Sequence, residues 1–193
     1  MRETIVKALR DGADLKQRMA DTMAAEIEEA ARTIADAIRA GNKLLLFGNG
    51  GSAADAQHVA AEFVNRFLVE RPPLAAIALT TDSSVVTSIA NDYSFDELFS
   101  KQVRALGKPG DVALGISTSG SSRNVVAAFA AAKAIGMKTI ALTREGGAMA
   151  IGADVALAVP SSFTPRIQEG HIAILHIVCE LVDLILFPDA RRG

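Results

Sequence analysis

One cysteine, Cys179, stands among 193 residues, so no intrachain disulfide can form, and its place in an apolar helical run fits a reducing compartment and a packing role. An excess of positive charge is missing too. Lys plus Arg number 20 against 22 Asp plus Glu, which offers nothing to draw a polyanion or an acidic membrane surface, and nucleic acid is not an expected partner. The amino-terminal stretch MRETIVKALRDGADLKQR has charges in every apolar run and lacks the continuous apolar segment of a secretory signal. The strongest candidate for a membrane span, residues 172–187, is short and contains His176, Glu180 and Asp183, so it reads as a buried helix. The expected location is the cytoplasm, with no membrane partner. Repeats, low-complexity tracts and linkers are absent. One domain is expected over residues 1–193, with a helical region over about 1–40 and an α/β core over about 43–187.

What is present is a regular alternation. Met19, Met23, Ile27, Ala30, Ile34 and Ile38 recur at helical spacing, with Gly41-Asn42 as the stop. Short apolar runs at 43–47, 74–80, 111–116, 137–143 and 154–159 predict five strands. Helices are predicted near 53–67, 83–90, 95–106, 124–135 and 166–187, with Gly136 as a C-cap. Continuous apolar strands separated by helices predict a doubly wound parallel sheet covered on both faces, with ligands collecting in the loops at the strands' carboxyl ends. The last helix is apolar on nearly every side, more than one sheet can cover, which predicts a partner subunit.

Two of those loops suit anions. Gly48-Asn49-Gly50-Gly51-Ser52 follows the first strand and opens a helix, where glycines permit a tight turn and free amides meet the positive end of the helix dipole. Taken alone, the same loop could be an ordinary strand-to-helix turn. Gly48, Gly50 and Ala53 also satisfy the dinucleotide pattern G-x-G-x-x-A, but Glu70 precedes the second strand and Asp82 comes too late to supply the ribose-binding carboxylate. A nucleotide P-loop is excluded because no Gly-Lys-Ser or Gly-Lys-Thr occurs. Ser117-Thr118-Ser119-Gly120-Ser121-Ser122 follows the third strand. Its hydroxyls at a second helix start suit a phosphate, where an N-cap would need only one of them. Together the loops predict a phosphorylated substrate. Asp55, His58 and Glu62 share one helix face, and His58 with Glu62 is either a metal or acid-base pair or a solvated couple. His176 interrupts an apolar run, with Gln168 eight residues earlier.

The blocks GNGGSAADAQHVAAEF, Asn91-Asp92, LGISTSGSS and RIQEGHIAILH resemble the phosphoheptose isomerases of the sugar isomerase (SIS) family, over about residues 40–187. The resemblance implies conversion of sedoheptulose 7-phosphate to D-glycero-D-manno-heptose 7-phosphate, feeding activated heptose for lipopolysaccharide or other surface glycans. It implies substrate contacts from Asn49, Gly50, Gly51, Ser52, Glu62, Asn91, Asp92, Ser117, Thr118, Ser119, Ser122 and Gln168, and a catalytic pair Glu62 and His176. It further implies one zinc per subunit on His58, Glu62, Gln168 and His176, and a homotetramer. Pro165 departs from the pattern, since some members have an aspartate there. On an ideal helix Gln168 and His176 would lie about 12 Å apart, far for two ligands of one ion. Either Gln168 sits ahead of the regular helix or side chains of different subunits meet, and the expectation is an intermolecular site in which the last helix reaches a neighbour's His58 and Glu62.

A non-enzymatic relative in the same family binds the replication initiator DnaA, and the stretches NRF, ERPPL, AIALTTD and KQVRALG resemble it. That relative has other residues at the catalytic glutamate and histidine positions, whereas Glu62 and His176 stand here. An enediol mechanism needs only two acid-base groups: Glu62 for the carbon-bound proton, His176 for exchange with the sugar oxygens.

Overall fold

The computed structural model describes residues 1–190. Two helices, α1 (Arg2–Thr22) and α2 (Ala24–Arg39), lead into a core of β1 (Leu44–Gly48), α3 (Gly51–Val64), β2 (Ala76–Ala78), α4 (Ser83–Asp92) and α5 (Leu98–Leu106). It continues through β3 (Val112–Ile116), α6 (Arg123–Ile135), β4 (Lys138–Arg144), α7 (Ala148–Ile151), β5 (Val155–Val159) and α8 (Thr164–Leu186). All pairings are parallel, in the order β2-β1-β3-β4-β5.

The pleat divides the apolar strands between two cores. Leu44 and Leu46 of β1 face α2, α3 and α8, whereas Leu45 and Phe47 face α5 and α6. This is the predicted doubly wound sheet. Gly115 lets α6 approach β3, since a Cβ there would stand 2.8 Å from Val125 Cγ1 and 2.9 Å from the Phe129 ring. Gly136 closes α6 in the left-handed conformation, φ 88°, as its position predicts.

Several boundaries differ from expectation. The apolar stripe from Met19 to Ile38 runs across two helices that break at Met23, where Thr22 Oγ1 donates to the Arg18 carbonyl oxygen at 2.8 Å, a contact that bends helices. The second strand shrinks from 74–80 to Ala76–Ala78, an edge strand entered from Pro72-Pro73. Burial alternates in β2 and β5 because edge strands are covered mainly on one face. The helix over 95–106 begins as a 3₁₀ turn, Phe95–Glu97, and α7 was not anticipated. Cys179 is buried, and burial, reinforced by the charges of Glu62 and Asp183, pushes its thiol up to about 12, consistent with packing. Among the described residues no helix is long and apolar enough to cross a membrane.

Candidate functional site

At the carboxyl edge of the sheet the two glycine- and serine-rich loops meet. Gly50 takes φ 57° before α3, and Gly48 sits so close to β3 that a Cβ would stand 2.8 Å from the Ile116 carbonyl oxygen. The loops are tied by a reciprocal amide pair: Asn49 Nδ2 donates to Asn124 Oδ1, and Asn124 Nδ2 to Asn49 Oδ1, each at 2.9 Å. Asn124 is buried and was read from the sequence only as a helix start. An expected contact residue, Asn49, thus spends its amide on joining the loops.

The serine loop folds on its own hydroxyls. Ser117 Oγ lies 2.9 Å from Ser122 Oγ and 3.3 Å from Ser119 Oγ, and the Gly120 and Ser121 amides donate to Ser117 Oγ and Ser119 Oγ, each at 3.2 Å. Gly120 holds φ 69° with its Cα packed on Gly147, where a Cβ would stand 2.4 Å from Gly147 Cα. Ser122 precedes α6 but makes no capping bond, and no side chain caps α3. Two adjacent helix starts therefore present amides without side-chain caps beside a ring of hydroxyls, a cradle whose chemistry suits an anion without a cation. Ser52 is buried under it, Thr118 half-buried at its edge. Gln168 joins this end, its Nε2 3.1 Å from where a Gly51 Cβ would be.

The ionisable residues gather elsewhere. His58 Nε2 and His176 Nε2 are 2.9 Å apart, and Glu62 Oε1 lies 3.7 Å from His58 Nδ1. Phe67 stacks on the His176 ring at 5.4 Å; it ends the predicted helix 53–67 but lies beyond the observed end of α3 at Val64. Burial raises the pKa of Asp55 while the charges of His58 and His176 oppose the rise, so Asp55 also belongs to this cluster. One chain thus brings His58, Glu62 and His176 together, and the expectation that the last helix reaches a neighbour's His58 and Glu62 is corrected for His176: α3 and α8 pack side by side within the chain. Asn91 and Asp92 sit exposed at the end of α4, bonded to each other at 2.8 Å and to neither loop.

The four-ligand zinc set does not assemble in one chain. The two imidazole nitrogens, 2.9 Å apart, approach the roughly 3.4 Å expected between neighbouring donors on a tetrahedral zinc with bonds of about 2.1 Å. Gln168, however, lies inside α8, not ahead of it, and stands by Gly51. Among the described residues no group of three or more His, Cys, Asp or Glu could hold a metal.

A family model described as SIS domain matches residues 9–144. The chain is 54% identical over 193 residues to a phosphoheptose isomerase of Thermodesulfovibrio yellowstonii, covering 98% of this chain and 96% of that one. It is 52% identical over 189 residues to that of Geobacter sulfurreducens, covering 97% and 100%. The solved structure of phosphoheptose isomerase GmhA from Neisseria gonorrhoeae superposes with a TM-score of 0.89 at 46% identity, covering 94% and 98% of the two chains.

Proposed function

The chain belongs to the SIS domain family and, within it, groups with the phosphoheptose isomerases, and from that membership and the geometry we propose how it acts. It isomerises sedoheptulose 7-phosphate to D-glycero-D-manno-heptose 7-phosphate, in the cytoplasm, on the route to activated heptose for lipopolysaccharide or a related surface glycan. The phosphate rests in the cradle of Gly50, Gly51, Ser117, Ser119 and Ser122. Glu62 takes the proton from the carbon next to the carbonyl, and His176 exchanges protons with the sugar oxygens, giving an enediol. Anchoring the phosphate orients the reacting carbons.

One observation carries the assembly. From Gly51 to Glu62 the rise along α3 is about 16 Å. An extended seven-carbon chain, eight bonds from the phosphorus to C1 at about 1.25 Å per bond along its axis, places C1 about 10 Å from the phosphorus. That length falls short of the rise along α3, and we infer that one substrate is held between two copies, its phosphate in the cradle of one and its C1 at Glu62 of the other. The active site is composite, with the cradle from one copy and Glu62 and His176 from another. An apolar groove of about 660 Å³ between α1, α2 and α8, bordered by Met19, Ile27, Ile177, Leu181 and Ile185, supports burial against further copies in a homotetramer. The zinc reading is supported by His58 and His176, whose Nε2 atoms lie 2.9 Å apart with Glu62 beside His58, while Gln168 stays with the cradle; metal analysis is expected to find about one zinc per chain, lost in His58→Asn.

Direct turnover of sedoheptulose 7-phosphate tests the activity, and mixing tests the composite site. Glu62→Gln and Ser119→Ala/Ser122→Ala chains, each nearly inactive at low substrate, are expected to recover roughly a quarter of wild-type activity when refolded together in equal amounts, the random share of sites with both halves intact. No recovery in folded hybrid oligomers would show that each chain works alone.

A further inference from the structure

Arg71 has no part in the reaction described above, yet it is among the most heavily bonded side chains of the molecule. It lies in the ERPPL stretch between α3 and β2, with its side chain 2% exposed, and pairs with Asp183 of α8, 3% exposed, through Nε to Oδ1 at 2.8 Å. The rest of the guanidinium turns to the carboxyl end of α3. Nη1 donates to the carbonyl oxygens of Phe63 at 2.7 Å and of Asn65 and Pro72 at 3.2 Å each, while Nη2 donates to the carbonyl oxygen of Glu62 itself at 2.8 Å.

The bonds answer a local need. The last carbonyls of a helix lack intrahelical partners. In α3 neither a left-handed glycine cap nor a basic residue in the last turn meets that need, since Asn65 caps it at φ −89°. Arg71 folds back from outside the helix and supplies the donors. Its other partner is placed with equal economy: Asp183 lies seven residues beyond His176, two turns along the same face of α8. One planar, rigid fork thus grips the peptide that carries Glu62 and the helix face that carries His176. A buried ion pair is weak evidence for stability, because desolvation offsets the attraction, and Asp183 Oδ2 is left without a hydrogen-bond partner. What the pair secures is geometry.

We propose that Arg71, through Asp183 and the last carbonyls of α3, is a positioning residue for the isomerisation, fixing the Glu62 carboxylate relative to the His176 imidazole. This rests on the assignment of Glu62 and His176 as the acid-base pair. Arg71 touches no substrate, so its loss acts on the chemical step and spares phosphate binding, whose donors belong to the glycine and serine loops and not to the Arg71 network.

The test uses the full-length oligomer. Arg71→Met/Asp183→Leu removes both buried charges together, and Arg71→Lys keeps the charge while lacking the fork. In each folded variant kcat for sedoheptulose 7-phosphate is expected to fall about ten- to a hundredfold, as small misplacements of catalytic groups do, with KM within about twofold. The primary deuterium isotope effect at the carbon that loses its proton is expected to rise as proton transfer becomes slower. A purely structural role would lower the folded fraction and leave the isotope effect unchanged. Wild-type kcat and isotope effect in either folded variant overturn the proposal. Should the double variant not fold, Arg71→Lys alone decides by the same readings. Should the wild-type chain not turn over the substrate, the functional reading fails separately; the positioning role is then judged by a crystal structure of Arg71→Lys, where an undisturbed Glu62, His58 and His176 cluster would overturn it and a displaced one would support it.

Discussion

The two ends of the paired helices α3 and α8 are built from different chemistry. The amino end, around Gly51 and Gln168, is made of glycines, hydroxyls and uncapped amides, with Asn49 and Asn124 locking the loops together. The carboxyl half of α3 with the middle of α8, around Glu62 and His176, is made of ionisable groups that face one another, backed by Phe67. A phosphate that stays unchanged through the reaction needs a rigid set of neutral donors, and backbone supplies them without reorganisation. Proton transfer needs groups that can change charge, and those must come from side chains. In the proposed mechanism, holding the two functions apart lets either be damaged without the other.

The sharpest break in that contrast is Glu62→Gln, which preserves shape and hydrogen bonding but removes the proton acceptor. Turnover is expected to fall by about a hundredfold to ten-thousandfold with substrate still bound. Steady-state kinetics beside direct binding measurements checks this, and near-normal kcat would remove Glu62 from the role of base.

Between the ends sits His171, fully buried on α8, with Nε2 donating to the Thr143 carbonyl oxygen at 3.1 Å. Burial pushes its pKa down from 6.5 to about 4, against the opposing effect of that hydrogen bond. Below pH 6.5 the unfolded chain takes up a proton that the folded chain refuses, so stability is complete above that pH and declines as pH falls toward about 4. The cost reaches about 3 kcal/mol, from 1.36 kcal/mol per unit. Denaturant unfolding at pH 7 and pH 4.5 is expected to show a larger acid loss in wild type than in His171→Phe; equal losses would assign acid sensitivity to other groups.

The smallest expected effect sharpens the comparison from the other end. Ser119→Ala should raise KM by about tenfold, the order of one hydrogen bond to a charged group, and leave kcat nearly intact because that contact holds ground state and transition state alike. A kcat loss larger than the KM change would mean that the cradle takes part in the chemistry.

Much of this was legible in the residues. The five strands and both loops follow from apolar runs and from glycine and serine placed at strand ends, and the shared face of His58 and Glu62 follows from helical spacing. Edges were less so: β2 reads long because Leu74 and Leu79 are apolar and buried, though only Ala76–Ala78 form the strand. The break at Met23, beside the hydrogen bond of the Thr22 hydroxyl to the Arg18 carbonyl, lies inside a stripe whose periodicity continues across it. Asn124 and Arg71 were passed over because no local pattern marks them; their partners lie 75 and 112 residues away.

The sequence by itself determined the alternation of strand and helix, the anion-ready loops and the residue types able to move protons, since each depends on spacings of a few residues and on the backbone preferences of glycine and serine. Only the tertiary structure decided that His176 meets His58 across 118 residues, that Gln168 stays with the cradle, and that Arg71 spans the ends of α3 and α8. Those pairings come from how two helices pack on a twisted sheet, and a side chain's distance from a remote partner is set by that packing, which no local spacing encodes.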